Sequence, residues 1–163
     1  MPDPAMNLSI RQSTAEDAEA IGRLAAEFQS YLRGLGDKTE FDWGASKYLR
    51  DGFGENRAFE GLVAEIDSRV VGYTLYHFGY DTDHGQRFVF MIDLYVTQSL
   101  RRTGIGEQLM RRIAEVGRSR GAECIVWSVA KSNLPATRFY EKLGAEYLDD
   151  QSFMEISILP KPA

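Results

Sequence analysis

A single cysteine, Cys124, and two histidines, His77 and His84, are all that 163 residues offer for sulfur and imidazole chemistry. One cysteine forms no internal disulfide, and one Cys with two separated His gives no metal-ligand spacing. Cys124 lies in the apolar run Cys124-Ile125-Val126-Trp127, where a buried small hydrophobe is the expected role rather than a nucleophile. No stretch is apolar for long enough to span a bilayer, and Met1-Pro2-Asp3-Pro4 does not open a secretion signal. A cytoplasmic protein without a membrane partner is therefore expected. The net charge of −5 argues against a nucleic-acid surface and is compatible with a cationic substrate. Repeats, low-complexity tracts and internal linkers are also missing. One domain over residues 1–163 follows, with residues 1–6 as a loose N-terminal extension.

What is present is an alternation of strand and helix patterns. Residues 8–10 alternate as a short strand. Ser13 and Glu16 have the spacing of a capping box ahead of a helix whose apolar face is Ile21, Leu24, Ala25, Phe28 and Leu32. A shorter helix is expected over residues 43–50, stopping at Gly52. Residues 62–66 and 70–76 flank Asp67-Ser68 as a hairpin, and residues 80–85 form a turn. Residues 88–96 are nearly continuously apolar, as in a central strand covered on both faces, with Asp93 as the one charge. A helix at 105–120, a strand at 124–130, a helix from Pro135 to Gly144, and short strands at 146–148 and 153–158 complete the chain. The fold class is α/β (α+β), a mixed sheet of six to seven strands with helices on both faces.

The most informative stretch joins the strand Ile92-Asp93-Leu94-Tyr95-Val96 to Arg101-Arg102-Thr103-Gly104-Ile105-Gly106 and the following helix. Ile105, Leu109, Ile113 and Val116 form that helix's apolar stripe. Free N–H groups of a first helical turn, the helix dipole and two arginines make an anion site. Gly104 and Gly106 let a phosphate approach the backbone. No Gly-Lys-Ser/Thr follows, and a dinucleotide fingerprint would need glycine where Leu109 stands. The residues alone leave open a plain capped turn.

The form Arg-x-x-Gly-x-Gly after a strand, followed one strand later by Asn133-x-Pro135-x-x-x-Phe139-Tyr140-x-x-x-Gly144-Ala145, resembles the GNAT superfamily of N-acetyltransferases. Asp51-Gly52-Phe53-Gly54-Glu55, Leu62-Val63-Ala64-Glu65 and Tyr80-Asp81 extend the likeness to the diamine (spermidine/spermine) branch. The resemblance covers nearly the whole chain from about residue 8. It implies a GNAT fold with a splayed pair of parallel strands, and acetyl-CoA as co-substrate with no metal. The strand segment Leu94, Tyr95 and Val96 would hold the pantetheine arm through its backbone. Arg101, Arg102, Thr103, Gly104, Ile105, Gly106 and Glu107 would hold the pyrophosphate. Asn133 would bond the arm from the other side, or serve as a helix cap. The branch also implies a homodimer.

The same resemblance makes Tyr140 the acid that protonates the leaving thiolate, a task that suits a phenol still protonated at neutral pH. Packing of the last helix is the other reading of Tyr140. An ammonium acceptor must lose a proton before attack, and Asp93 is the candidate base or amine anchor, or else a buried structural carboxylate. The backbone N–H of Leu94 is the candidate donor to the oxyanion. The chain departs from the polyamine enzymes at Leu32, Ile92 and Ser152, where acids are expected, and at Met154, where tryptophan is usual. Asp81, Asp83, Asp149 and Asp150 are possible replacements. Tyr31 falls near the acceptor site of the branch. The implied activity is direct acetyl transfer to a small primary amine, a polyamine or amino acid. A protein or peptide N-acetyltransferase and a non-catalytic acyl-CoA sensor are the alternatives.

Overall fold

The computed structural model describes residues 7–160, so the expected extension at 1–6 lies outside the described residues. The chain divides into two compact units, one ending at Asn133 and the other beginning at Leu134.

The first unit is a five-stranded sheet in the order β1-β2-β3-β4-β5. Its strands are β1 (Leu8–Gln12), β2 (Glu60–Ile66), β3 (Arg69–Asp81), β4 (Gln86–Val96) and β5 (Ala122–Val126). The first four pair antiparallel, and β5 joins β4 in parallel. The long β3–β4 hairpin is closed by Asp81, whose carboxylate accepts the backbone N–H of Asp83 at 2.9 Å and faces His84 Nδ1 at 2.7 Å. This hairpin end is where the chain turns, so Asp81 is held as a turn residue.

Helix α1 (Ala18–Gly34) and helix α2 (Ala45–Gly52) cover one face of the sheet. Ile21 and Leu24 of α1 and Tyr48 of α2 form a core there with Val63, Tyr73, Leu75 and Tyr95. Burying each large apolar side chain of this kind contributes roughly 1.5–3 kcal/mol. Helix α3 (Ile105–Ser119) covers the other face with Ile105, Leu109 and Ile113, all essentially inaccessible. Gly117 permits its approach, because a Cβ there would meet the Val89 side chain at 2.9 Å.

The start of α1 differs from the sequence expectation by one residue. Ser13 is still part of the strand pairing, donating its N–H to the Gly61 carbonyl at 2.9 Å. Thr14 is therefore the cap of the leading turn, and Asp17 closes the box by accepting the Thr14 N–H at 2.8 Å. Arg11 grips the same carboxylate at 2.8 and 2.9 Å and reaches Glu65 at 2.8 Å. Burial alone would raise the Asp17 carboxyl, but the Arg11 guanidinium and the Thr14 N–H hold it below the usual range.

Three other expectations change. Trp43 precedes α2, which starts at Ala45 behind Gly44. Cys124 is exposed rather than buried, because β5 is the edge strand. The strands expected at 146–148 and 153–158 are absent among the described residues, which leaves five strands instead of six or seven. A strand exists only by its ladder, and this segment has no strand partner. The second unit contains α4 (Leu134–Lys142), ended by Gly144 at φ 86° with the Ala145 N–H returning to the Tyr140 carbonyl at 3.1 Å.

Asp17→Ala removes a cap and a charge-assisted pair together. It should lower stability at pH 7 by about 1–3 kcal/mol in urea unfolding. A carboxyl held low in the folded state stabilises above its unfolded value and loses that effect on acidification. The difference between variant and parent should therefore shrink as the pH falls through the acid range.

Candidate active site

The site begins with one inserted residue. Leu75 pairs with Asp93 and Tyr76 pairs with Met91, so Ile92 stands opposite no partner as a β-bulge. Before the bulge, Val89 and Met91 share the α3 face, since Val89 meets Gly117 of α3. Unbroken alternation would aim Asp93 the same way. The bulge turns it to the α1/α2 face, beside Tyr73, Leu75 and Tyr95.

The pairing with β5 ends just before the bulge. The parallel register runs from Arg87 opposite Ala122 to Phe90 opposite Val126 and stops there. Expected strand residues 127–130 are accordingly not strand. Beyond Phe90, β4 continues alone on that side. The Thr97 N–H bonds the Val71 carbonyl of β3 at 2.9 Å. By alternation Tyr95 also turns its backbone to β3, while Leu94 and Val96 turn theirs away, into the opening. The Tyr95 side chain is buried, stacked on Phe28 with ring centroids 5.0 Å apart. Two of the three expected arm-binding residues thus present backbone groups to the gap.

The chain then enters the glycine loop. Arg102 at φ 64° and Gly104 at φ 87° are both left-handed, which curls the backbone into a concave cradle. Gly104 is the N-cap of α3, and the N–H groups of Ile105, Gly106 and Glu107 have no partner within the helix. Thr103 Oγ1 donates to the Leu100 carbonyl at 2.6 Å, fixing the turn. Glu107 is paired with Arg111 at 2.6 Å. The Arg101 guanidinium lies over the Tyr31 ring, 4.0 Å from its centroid, and its Nε donates to the Val96 carbonyl at 3.3 Å.

A cavity of about 470 Å³ opens beside this segment, lined by Glu27, Tyr31, Tyr95, Thr97 and Ser99 among others. Glu27 accepts the Thr97 hydroxyl at 2.8 Å. Asn133 is buried and its Oδ1 accepts the Tyr31 hydroxyl at 3.2 Å. Tyr31 and Asn133, 102 residues apart in sequence, are brought together by the fold.

Burial pushes the Asp93 carboxyl up to about 6, against the lowering influence of the Tyr73 hydroxyl. That value suits a group that accepts and returns a proton near neutrality. Tyr73 and Trp43 were not singled out by the sequence pattern for any polar role. Alternation alone places Tyr73 with Leu75 on a core face. Tyr140 belongs to the second unit, on α4, with its ring edge-on to Phe139 at 5.2 Å. Of the three positions where the resemblance to the polyamine enzymes implies acids, Leu32 is a core residue of α1, Ile92 is the bulge and Ser152 is exposed in the second unit.

Comparison with known proteins gives the following. The chain matches the Acetyltransferase (GNAT) family over residues 20–145. It is 35% identical over 150 residues to thialysine N-epsilon-acetyltransferase of Bos taurus, covering 86% of this chain and 85% of that protein. It is 32% identical over 143 residues to spermidine/spermine N(1)-acetyltransferase-like protein 1 of Homo sapiens, covering 83% of this chain but 20% of that protein. An integron cassette protein of V. cholerae shares the fold with a TM-score of 0.74 at 21% identity, over 94% of each chain.

Gly104→Ala tests the cradle. A side chain at φ 87° strains the left-handed cap by about 1–2 kcal/mol. Calorimetric titration with CoA should show affinity lowered roughly tenfold, the equivalent of 1.4 kcal/mol, with α3 still formed by circular dichroism.

Proposed function

Because the chain belongs to the GNAT family of acetyltransferases, we propose that it transfers the acetyl group of acetyl-CoA directly to the primary amine of a small aminoalkyl compound. The observation that carries this reading is the parted β4–β5 pair leading into the left-handed glycine loop. Backbone groups of Leu94 and Val96 would take the amide-bearing arm as a strand takes its neighbour, and buried backbone groups require such partners. The N–H groups from Arg102 through Glu107 would take the pyrophosphate, and Asn133 the arm's other edge. The family match runs from 20 to 145, across Asn133, which supports both units as parts of one domain.

Bound acetyl-CoA supplies an activated thioester. The chain's own groups do the rest. Asp93 accepts a proton from the incoming ammonium, because only the free amine carries a lone pair for attack. The Leu94 N–H donates to the acetyl oxygen as it gains negative charge. Tyr140, assigned from the Asn133 to Gly144 motif, gives its phenolic proton to the departing thiolate.

The acceptor we propose is an amino acid with an aminoalkyl side chain, of the thialysine type, rather than a polyamine. Two facts support it. Three mammalian relatives named for thialysine align over most of both chains. Leu32 and Ile92 replace acids that a polycation would need, and Leu32 is closed off in the core. A cytoplasmic homodimer completes the reading, supported by the composition and by the apolar run Phe153-Met154-Glu155-Ile156-Ser157-Ile158.

Thiol release from acetyl-CoA should be fastest with thialysine and lysine and slow with putrescine, spermidine and spermine. The reverse order overturns the acceptor assignment, and silence with every amine despite bound acetyl-CoA favours a sensor. Tyr140→Phe should lower kcat about 10²–10⁴-fold and leave acetyl-CoA affinity within about twofold. Unchanged kcat removes Tyr140 from the reaction.

A further inference from the structure

The α1/α2 core contains polar atoms that packing alone does not call for. Tyr73 is fully inaccessible, yet its hydroxyl makes no hydrogen bond, and the buried Trp43 Nε1 makes none either. Phenylalanine at position 73 would fill nearly the same space without burying an unsatisfied polar atom. Both side chains belong to this packing: Tyr73 is in the core cluster with Leu75 and Tyr95, and Trp43 is packed against it. The register makes Tyr73, opposite Tyr95, a diagonal neighbour of Asp93, opposite Leu75, and an aromatic side chain spans that diagonal. The three groups are close enough to act on one another in series. Trp43 acts on the Tyr73 hydroxyl, and Tyr73 acts on Asp93.

We propose that Trp43 and Tyr73 form a donor chain behind Asp93, indole N–H to phenol oxygen and phenol O–H to carboxylate. The chain closes when Asp93 is ionised and fixes that carboxylate toward the acceptor amine. Tyr73 and Trp43 are positioning residues that act through Asp93, so this inference rests on Asp93 as the proton acceptor of the proposed reaction.

The other titratable groups in this part of the fold are already engaged. Tyr48 of α2 donates to the Thr14 carbonyl at 2.7 Å. Glu27 of α1 holds Thr97, and the Tyr95 hydroxyl donates to Glu27 at 3.4 Å. Arg23 of α1 donates to the Val70 carbonyl at 2.9 Å. Tyr31 of α1 donates to Asn133, and Arg101 stacks on Tyr31. Burial and the Tyr73 hydroxyl are the influences on Asp93. A donor to the charged form lowers a carboxyl pKa, so removing it raises that pKa, and a base then needs a higher pH to work.

The test is the pH profile of kcat/KM for the parent, Tyr73→Phe, Trp43→Phe and Asp93→Asn, with thermal melts and acetyl-CoA affinity measured alongside. Tyr73→Phe should move the acidic limb up by about one pH unit, so that activity near pH 6 falls about fivefold and recovers by about pH 8. Trp43→Phe should move it the same way by less. Direct ¹³C NMR titration of the Asp93 carboxyl should show the same order without turnover. An unmoved limb and an unmoved NMR titration in both aromatic variants, with Asp93→Asn inactive, overturn the chain and leave Asp93 as base. Full activity of Asp93→Asn with the limb intact overturns both, because the chain acts only through that carboxylate.

Discussion

Ile92 interrupts the pairing of β4 with its hairpin partner, and the geometry of the site follows from that interruption. A strand with unbroken alternation presents one set of side chains to each face throughout its length. The extra residue reverses the assignment halfway. Val89 and Met91 serve the α3 core, and Asp93 and Tyr95 serve the α1/α2 core. The shared register with β5 also ends just before the reversal. A half-buried carboxylate and a length of unpaired strand edge thus lie at the same place.

Electrostatics then separates the two ends of this edge. Asp93 sits where burial disfavours its charge, near one phenol. The loop at 101–107 collects backbone N–H groups, a helix N-terminus and two arginines. Between them run Leu94 to Val96, with no ionisable group except the Tyr95 phenol, itself turned into the core. In the reaction we propose, the middle of this edge would bond the carrier's arm, the loop would take its anionic end and Asp93 would take the proton of the amine. The family relationship and the geometry meet on that point.

Much of this was legible in the sequence because it rests on local chemistry. The glycine turn at Gly104 opens α3 directly ahead of its apolar stripe, as the local pattern implies. The hairpin from β3 to β4 follows from alternation and turn residues. The reach of β4 to Val96 follows from its apolar run. The bulge was not legible, since Ile92 differs in no local respect from a regular strand residue. Its effect on Asp93 was therefore missed too, the turn of that side chain to the face that carries Tyr73, and the exposure of Cys124 was missed because the strands expected beyond β5 do not form. The cap shifted from Ser13 to Thr14 because long-range pairing with Gly61 competed with a local motif and prevailed. Strands at 146–148 and 153–158 were read from apolar content, which does not specify a ladder partner.

The stacking of Arg101 on Tyr31 has a kinetic meaning. Arg101 already bonds the Val96 carbonyl, and Tyr31 already bonds Asn133. A ligand strand held as proposed by Val96 and Asn133 would therefore exchange hydrogen bonds there instead of adding them, so its net gain at those points would be modest. The same exchange runs in reverse at the end of a cycle. A departing product leaves behind groups with internal partners waiting, and its exit exposes no unpaired donor or acceptor at those points.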